Sequence, residues 1–156
     1  MNPRKSWRQK LADSKDLPKT GRVMGRMTKR WGTGTMVVPA PREVDELMKQ
    51  VPPGKVTTIN ELRAALARQH QVDIACPITT GIFAWIAAHA AEEAAAEGAK
   101  RITPYWRTLK TGGELNGKYP GGVAALRKRL RAEGHRVVKK GKRHLVANFE
   151  GVLFKL

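Results

Sequence analysis

Helix-breaking residues divide the middle of the chain into short helical segments. Val51-Pro52-Pro53-Gly54 ends one segment, because a proline pair followed by glycine cannot continue a helix. Thr58 and Glu61 then form the Thr-x-x-Glu pattern of a capping box, which opens the next helix. Gly98 and Gly134 stand where a glycine commonly ends a helix. The predicted helices run from Pro41 to about Gln50, from Thr58 to His70, from about Ile78 to Glu97 and from Val123 to Glu133.

A basic hairpin is predicted after these helices. Residues 135–139 and 142–147 read as two strands around Lys140-Gly141, in the position of the wing of winged-helix proteins. The expected fold class is mainly α with a small β component, a winged helix-turn-helix domain with a basic N-terminal arm. We expect a loosely ordered arm over residues 1–35 with Trp31 docked on the domain, the winged-helix domain over 36–134, and the hairpin and C-terminal extension over 135–156, packed on the same domain.

The positive charge of the chain is large and uneven. The sequence holds 30 Lys and Arg against 13 Asp and Glu, a net charge of +17. Residues 1–35 hold 10 basic and 2 acidic residues, residues 36–99 hold 5 and 8, and residues 100–156 hold 15 and 3. Phosphate contacts need a positive face, so double-stranded DNA is the expected partner. An anionic membrane is not expected, since no long apolar span and no lipidation motif are present.

The cysteine content limits both the compartment and the chemistry. A single cysteine, Cys76, excludes an intrachain disulfide and is typical of a reducing cytoplasm. With one cysteine and four histidines, a structural zinc site is not expected. No secretory signal follows the basic N-terminus. These observations predict a soluble, cytoplasmic, monomeric protein without metal or cofactor.

Four motifs stand in a recognisable order. They are Val51–Thr58, Pro104–Arg107, Gly117–Gly122 and Glu133-Gly134. In this order the chain resembles the DNA-binding domain of the O6-alkylguanine-DNA alkyltransferases over about half its length. The resemblance implies a pocket for alkylated guanine formed by Pro104, Tyr105, Trp106, Arg107 and Tyr119, with Tyr105 as its floor and Tyr119 as its lid.

A departure in the second motif bears on whether the chain is an enzyme. The active family reads Pro-Cys-His-Arg there, and the cysteine thiolate takes the alkyl group. Tyr105 stands at the cysteine and Trp106 at the activating histidine, so the chain has no catalytic residue there. A phenol with a pKa of about 10 does not replace an activated thiolate. The chain thus resembles the alkyltransferase-like proteins, which implies a non-enzymatic sensor of alkylated guanine. Glu133, at the family's histidine-orienting glutamate, is expected to be an ordinary residue near a helix end.

The same resemblance marks residues expected to contact DNA. Ile59 stands at the tyrosine that rotates the target nucleotide, and Thr80 aligns best with the arginine that fills the gap left by the flipped base. Phe83 and Trp85 are alternative wedges, although the apolar spacing of Trp85 favours a place in the core. The expected DNA contacts are Thr58, Thr79, Thr80, Arg127, Lys128, Arg129, Lys140, Lys142 and Arg143.

Two alternative functions stay open at this point. The chain is an active alkyltransferase if Cys76, at the start of the third helix, has a lowered thiol pKa and serves a rearranged site. It is a sequence-tolerant winged-helix DNA binder if the pocket for alkylguanine has been lost. A damage sensor without an activity of its own would have a repair-pathway protein as a further partner.

Overall fold

The structure, a computed structural model, describes residues 5–23, 28–29 and 34–156. Trp31, the residue predicted to dock the arm, lies outside these ranges. The described helices are α1 (Trp7–Ala12), α2 (Pro41–Lys49), α3 (Ile59–His70), α4 (Pro77–Ala96) and α5 (Gly122–Ala132). The described strands are β1 (Lys19–Arg22), β2 (Thr35–Val38), β3 (Thr57–Thr58), β4 (Ile74–Ala75), β5 (Thr108–Leu109), β6 (Val137–Lys140) and β7 (Arg143–Val146). Short 3-10 helices cover Tyr105–Arg107, Thr111–Gly113 and Phe149–Val152. The described chain is mainly helical with small sheets, as the sequence predicts.

The ends of α2 and α3 follow from local hydrogen bonding. At the start of α2 the Glu43 carboxylate accepts a hydrogen bond from the backbone N–H of Ala40 at 2.9 Å. At the start of α3 the Thr58 hydroxyl accepts one from the N–H of Glu61 at 3.3 Å. Gln71 ends α3 in the left-handed conformation, with φ of 54°. The bonds at Ala40 and Glu61 each satisfy a backbone N–H that the first turn of a helix leaves unpaired. These helix positions confirm the predictions.

Helix α4 buries its small residues and exposes two large apolar residues. Thr80 and the alanines at 84, 87, 88 and 91 are buried where α4 packs against α2 and α3. Ile78 and Ile82 are 57% and 45% exposed. Small side chains let helices approach closely, and this decides which face of α4 enters the core. Trp85, for which the apolar spacing favoured the core, is only half-buried on the other face.

Within the residues that the structure describes, three small sheets connect the helices. Strand β2 pairs antiparallel with β1 and parallel with β4, and β3 pairs parallel with β5. Strands β6 and β7 form the predicted antiparallel hairpin, with Lys140 opposite Arg143 at its tip. Strand β4 is not among the elements that the sequence predicts. Its two residues pair with a strand far away in sequence, and no local pattern predicts such a pairing.

The described part of the arm is packed on the domain. Ser6 caps α1, and this helix packs against α4 and α2. Trp7 contacts Trp85, with 4.7 Å between the ring centroids. These contacts attach α1 to α2 and α4. The loosely ordered arm over residues 1–35 stays a prediction. The domain boundaries at 35 and 134 stay predictions.

One core joins the helices and sheets. Among its fully buried side chains are Val37, Met48, Val56, Leu62, Leu66, Leu109, Leu126 and Leu130. The C-terminal segment closes it, since Phe154 donates its N–H to the Val56 carbonyl at 2.8 Å. In the part of the chain that the structure describes, no helix combines the length and apolar character needed to cross a membrane.

Candidate nucleic-acid interface

An apolar groove lies between the outward face of α4 and the loop that precedes α5. Its cavity volume is about 650 Å³. Ile78, Gly81, Ile82, Trp85 and His89 line it from the helix, and Asn116 and Lys118 line it from the loop. A Cβ added at Gly81 would meet no neighbouring group within 4 Å, so this glycine leaves the groove open. The exposed Ile78 and Ile82 make the groove apolar in a protein whose surface is otherwise highly charged.

Hydrogen bonds hold the loop against the helix. The indole N–H of Trp85 donates to the Lys118 carbonyl at 3.2 Å. The Lys118 N–H donates to the Asn116 side-chain oxygen at 3.1 Å, and the Tyr119 N–H donates to the Asn116 carbonyl at 3.0 Å. Gly121 follows with φ of 80°, a conformation that favours glycine. The loop therefore presents Asn116 and Lys118 at a fixed place beside Trp85.

The two tyrosines predicted as floor and lid lie behind this groove. Tyr105 is 2% exposed and Tyr119 is 3% exposed, and neither lines the groove. Their rings meet edge to face with 6.0 Å between centroids. Burial raises the pKa of both phenols above the ordinary value. The predicted pocket residues Pro104, Tyr105, Trp106, Arg107 and Tyr119 are all buried, because the core residues around them cover the motif loop.

A polar network connects Tyr105 to α4 and α5. The Tyr105 hydroxyl donates to the Glu92 carboxylate at 2.7 Å, and the Arg129 guanidinium donates to the same carboxylate at 3.1 Å. Arg129 also lies 4.2 Å from the centroid of the Trp106 ring, within the range of a cation–π contact. Glu92 thus adds to burial in raising the pKa of Tyr105. Arg129, expected on DNA, is engaged in this network.

Arg107 and Glu133 form an ion pair beside the network. The Arg107 Nε donates to Glu133 Oε1 at 2.9 Å, and its Nη1 donates to the Val51 carbonyl at 2.7 Å. The pair ties three of the family motifs to one another. Glu133 was expected to be an ordinary residue near a helix end, and this ion pair corrects that expectation.

The residues expected on DNA divide into buried and surface groups. Thr80 is fully buried, and its hydroxyl donates to the Cys76 carbonyl at 2.7 Å. Thr58 is buried as the cap of α3. Both side chains form hydrogen bonds within the domain, and their expected contact with DNA stays a prediction. Thr79 and Arg127 are half-buried, while Lys128, Lys140, Lys142 and Arg143 are exposed, and their role on DNA stays a prediction.

The hairpin lies next to the groove. The Leu115 N–H donates to the His144 carbonyl at 2.8 Å, one residue before Asn116. The Arg143 Nε donates to Glu114 at 2.9 Å. The backbone that carries the groove loop is thus paired with β7. This pairing holds the hairpin beside the loop that carries Asn116.

Cys76 is buried immediately before α4. It is 7% exposed. Two histidines that could serve as a base for this thiol are engaged elsewhere: His70 Nε2 lies 2.6 Å from the Glu43 carboxylate, and His89 stacks on Trp7. Within residues 5–23, 28–29 and 34–156, no three His, Cys, Asp or Glu side chains gather as a metal ion would require.

Sequence reasoning missed most of the groove. It did not select Gly81, Asn116 or Lys118. A signal for the helix side is present, since Ile78, Ile82, Trp85 and His89 recur at helical spacing while alanines occupy the opposite face. The loop residues carry no comparable signal, because their place depends on the pairing with β7.

Comparison with known proteins identifies solved structures with a similar fold. No protein-family model matches the chain, and no curated protein matches it. Two solved structures are similar: S. pombe Atl1 in complex with damaged DNA containing O6-carboxymethylguanine, with a TM-score of 0.53, and S. pombe ATL in complex with DNA, with a TM-score of 0.54. In both cases the identity is 18%, and the match covers 74% of this chain and 94% of the other. The chain therefore shares its fold with S. pombe Atl1.

Proposed function

We propose that this protein binds double-stranded DNA without reacting with it and recognises alkylated guanine in the groove between α4 and the Asn116–Lys118 loop. The observation that carries the proposal is the exposed apolar face of α4, with Ile78 and Ile82 beside Trp85. This face occurs on a fold whose S. pombe counterpart was solved with DNA that contains O6-carboxymethylguanine. A cytoplasmic location, a monomeric state and a repair-pathway partner stay predictions from the sequence.

In this proposal α3 and α4 act as the helix-turn-helix and the β6–β7 hairpin as the wing. The first turns of α4, which carry Ile78 and Ile82, lie in a groove of the DNA duplex. The exposed Lys140 and Lys142 contact phosphates. This arrangement is supported by the hydrogen bond from Leu115 to His144, which holds the hairpin beside the groove loop.

In this proposal, apolar side chains replace the tyrosine and the arginine that the alkyltransferases use to extrude the base. Extruding a base costs a few kcal/mol of stacking. Large apolar residues that enter between base steps can act as wedges. Ile78 and Ile82 are exposed near the N-terminal end of α4, the end that lies in the DNA in this proposal. Stacking of a base on an aromatic ring contributes about 1–3 kcal/mol, and Trp85 offers such a ring inside the groove. The alkyl group of the lesion suits an apolar wall.

In the proposed function, the protein binds the lesion and does not transfer the alkyl group. The Tyr105 hydroxyl is buried and donates a hydrogen bond to Glu92, so no nucleophile stands at the position of the alkyltransferase cysteine. Cys76 is buried and does not line the groove. Binding alone is therefore the activity that the described residues support.

The test compares affinities for a duplex with and without one O6-methylguanine. A buried methyl contributes about 1 kcal/mol, so wild type should prefer the lesion by about fivefold or more. Gly81→Leu places a large side chain in the groove from a position where an added Cβ meets no group within 4 Å, and it should abolish this preference. Gly21→Leu is the matched control, since Gly21 on exposed strand β1 is equally open. Equal affinity of wild type for both duplexes would overturn lesion recognition and leave a sequence-tolerant winged-helix binder.

A further inference from the structure

The N-terminal helix α1 is seated on α4 beside the groove. Ser6 and Gln9 form a capping box at its start. The Glu93 carboxylate accepts hydrogen bonds from the backbone N–H groups of Trp7 at 3.1 Å and Arg8 at 3.2 Å. Arg8 also pairs with Glu97 one turn further along α4. A carboxylate at a helix N-terminus is stabilising, so α4 supplies a built seat for α1.

This seat puts the Trp7 ring against two residues that line the groove. Trp7 stacks on His89 with 4.4 Å between ring centroids and an interplanar angle of 22°. It meets Trp85 edge to face at 4.7 Å, and Trp85 meets His89 edge to face at 5.2 Å. Each ring thus contacts the other two. Trp85 and His89 line the groove, and Trp7 braces them from the arm.

We infer that Trp7 is a positioning residue that determines how strongly the groove discriminates alkylated from plain guanine. The inference rests on the proposed function of the groove. Bracing by Trp7 restricts the rotamers of Trp85 and His89 before DNA arrives. A stacking surface that is already ordered loses less conformational entropy on binding, so the lesion is bound more tightly. The N-terminal helix is then a part of the recognition site.

The arm has a second effect, on the charge near the groove. This effect depends on Arg8, whereas the effect on lesion preference depends on Trp7. Glu93 and Glu97 would present two carboxylates near the groove if α1 were absent. Arg8 and the N-terminus of α1 compensate this negative charge. Because charge acts on every phosphate alike, loss of Arg8 should weaken binding to both duplexes equally. Loss of the Trp7 ring should instead change the ratio between them.

The experiment measures affinities of the full chain for duplexes with and without one O6-methylguanine, in wild type, Trp7→Ala, Trp7→Phe and Arg8→Ala. We expect Trp7→Ala to lower the lesion preference by about threefold or more, toward parity, with little change for plain duplex. Trp7→Phe keeps an aromatic ring and should retain most of the preference. Arg8→Ala should weaken both affinities and keep their ratio.

A second readout follows Trp85 directly. Its indole N–H, bonded to the Lys118 carbonyl, should exchange with solvent faster in Trp7→Ala than in wild type or Trp7→Phe. Should Trp7→Ala not fold, Glu93→Ala loosens the seat of α1 and is expected to lower the lesion preference in the same way. If Trp7→Ala keeps the lesion preference of wild type, or loses affinity for both duplexes by the same factor, the role of Trp7 is overturned and the proposed function is not. A wild type without any preference would overturn the proposed function as well.

Discussion

Arg107 holds the loop after Pro104 to the end of α5. It is 9% exposed, and its guanidinium satisfies both Glu133 and the Val51 carbonyl. Removing one partner of a buried pair leaves the other charge unpaired, which typically costs about 3–5 kcal/mol. We expect Arg107→Ala to lower the free energy of unfolding near the lower end of this range, as measured by urea denaturation. The exposed Arg136→Ala is the control and should change stability by no more than about 0.5 kcal/mol.

Tyr105 shows why restoring one residue would not restore an enzyme. Tyr105→Cys would place a thiol where the family has one, but Trp106 stands at the histidine position and the site is buried. Burial raises the pKa of a thiol, and Trp106 cannot act as the base that a histidine provides at this position in the alkyltransferases. We expect neither wild type nor Tyr105→Cys to gain the mass of a methyl group after incubation with O6-methylguanine DNA. A methyl adduct that appears in wild type and disappears in Cys76→Ser would instead identify a rearranged active site.

The motif around Tyr105 also marks a limit of sequence reasoning. The order of motifs located the loops correctly, because Arg107, Glu133 and Val51 do meet in space. It did not show that Tyr105 turns inward, since this depends on Glu92 of α4, which carries no motif signal. The two tyrosines are buried and do not line the adjacent groove, and their roles as floor and lid of a lesion pocket stay predictions.

At the scale of elements, local chemistry was predictable and packing was not. The cap of α3 at Thr58 and the glycine after α5 are read from the sequence because the hydrogen bonds involved span only a few residues. Strand β4 and the buried face of α4 depend on partners elsewhere in the chain. In α4 both faces are apolar, and only the fit against α2 decides that the alanines enter the core.

The β6–β7 hairpin should act on DNA through charge alone. Lys140→Glu with Lys142→Glu reverses two exposed charges at its tip. If the hairpin is the wing, this variant should weaken plain and alkylated duplexes by the same factor, since phosphates carry no lesion information. The matched control is Lys55→Glu with Lys155→Glu, an equal charge change on the segments joined by the Val56–Leu153 bridge, which contribute nothing to the groove. A larger loss in the control than in the hairpin variant would contradict the wing. Fluorescence anisotropy titrations measure both.

At the scale of the whole molecule, the net charge of +17 predicts strongly salt-dependent binding. Each neutralised phosphate adds about −0.9 to the slope of log K against log salt, so six to ten contacts would reduce affinity by about 10³–10⁵ between 50 and 200 mM salt. The apolar groove should contribute little to this slope, because it binds a base and not a phosphate. We therefore expect Gly81→Leu to leave the slope unchanged, whereas Lys140→Glu with Lys142→Glu should reduce its magnitude by about 2. Binding that is independent of salt would exclude phosphate contacts as the main source of affinity, and a slope altered by Gly81→Leu would show that the groove and the charged surface do not act separately.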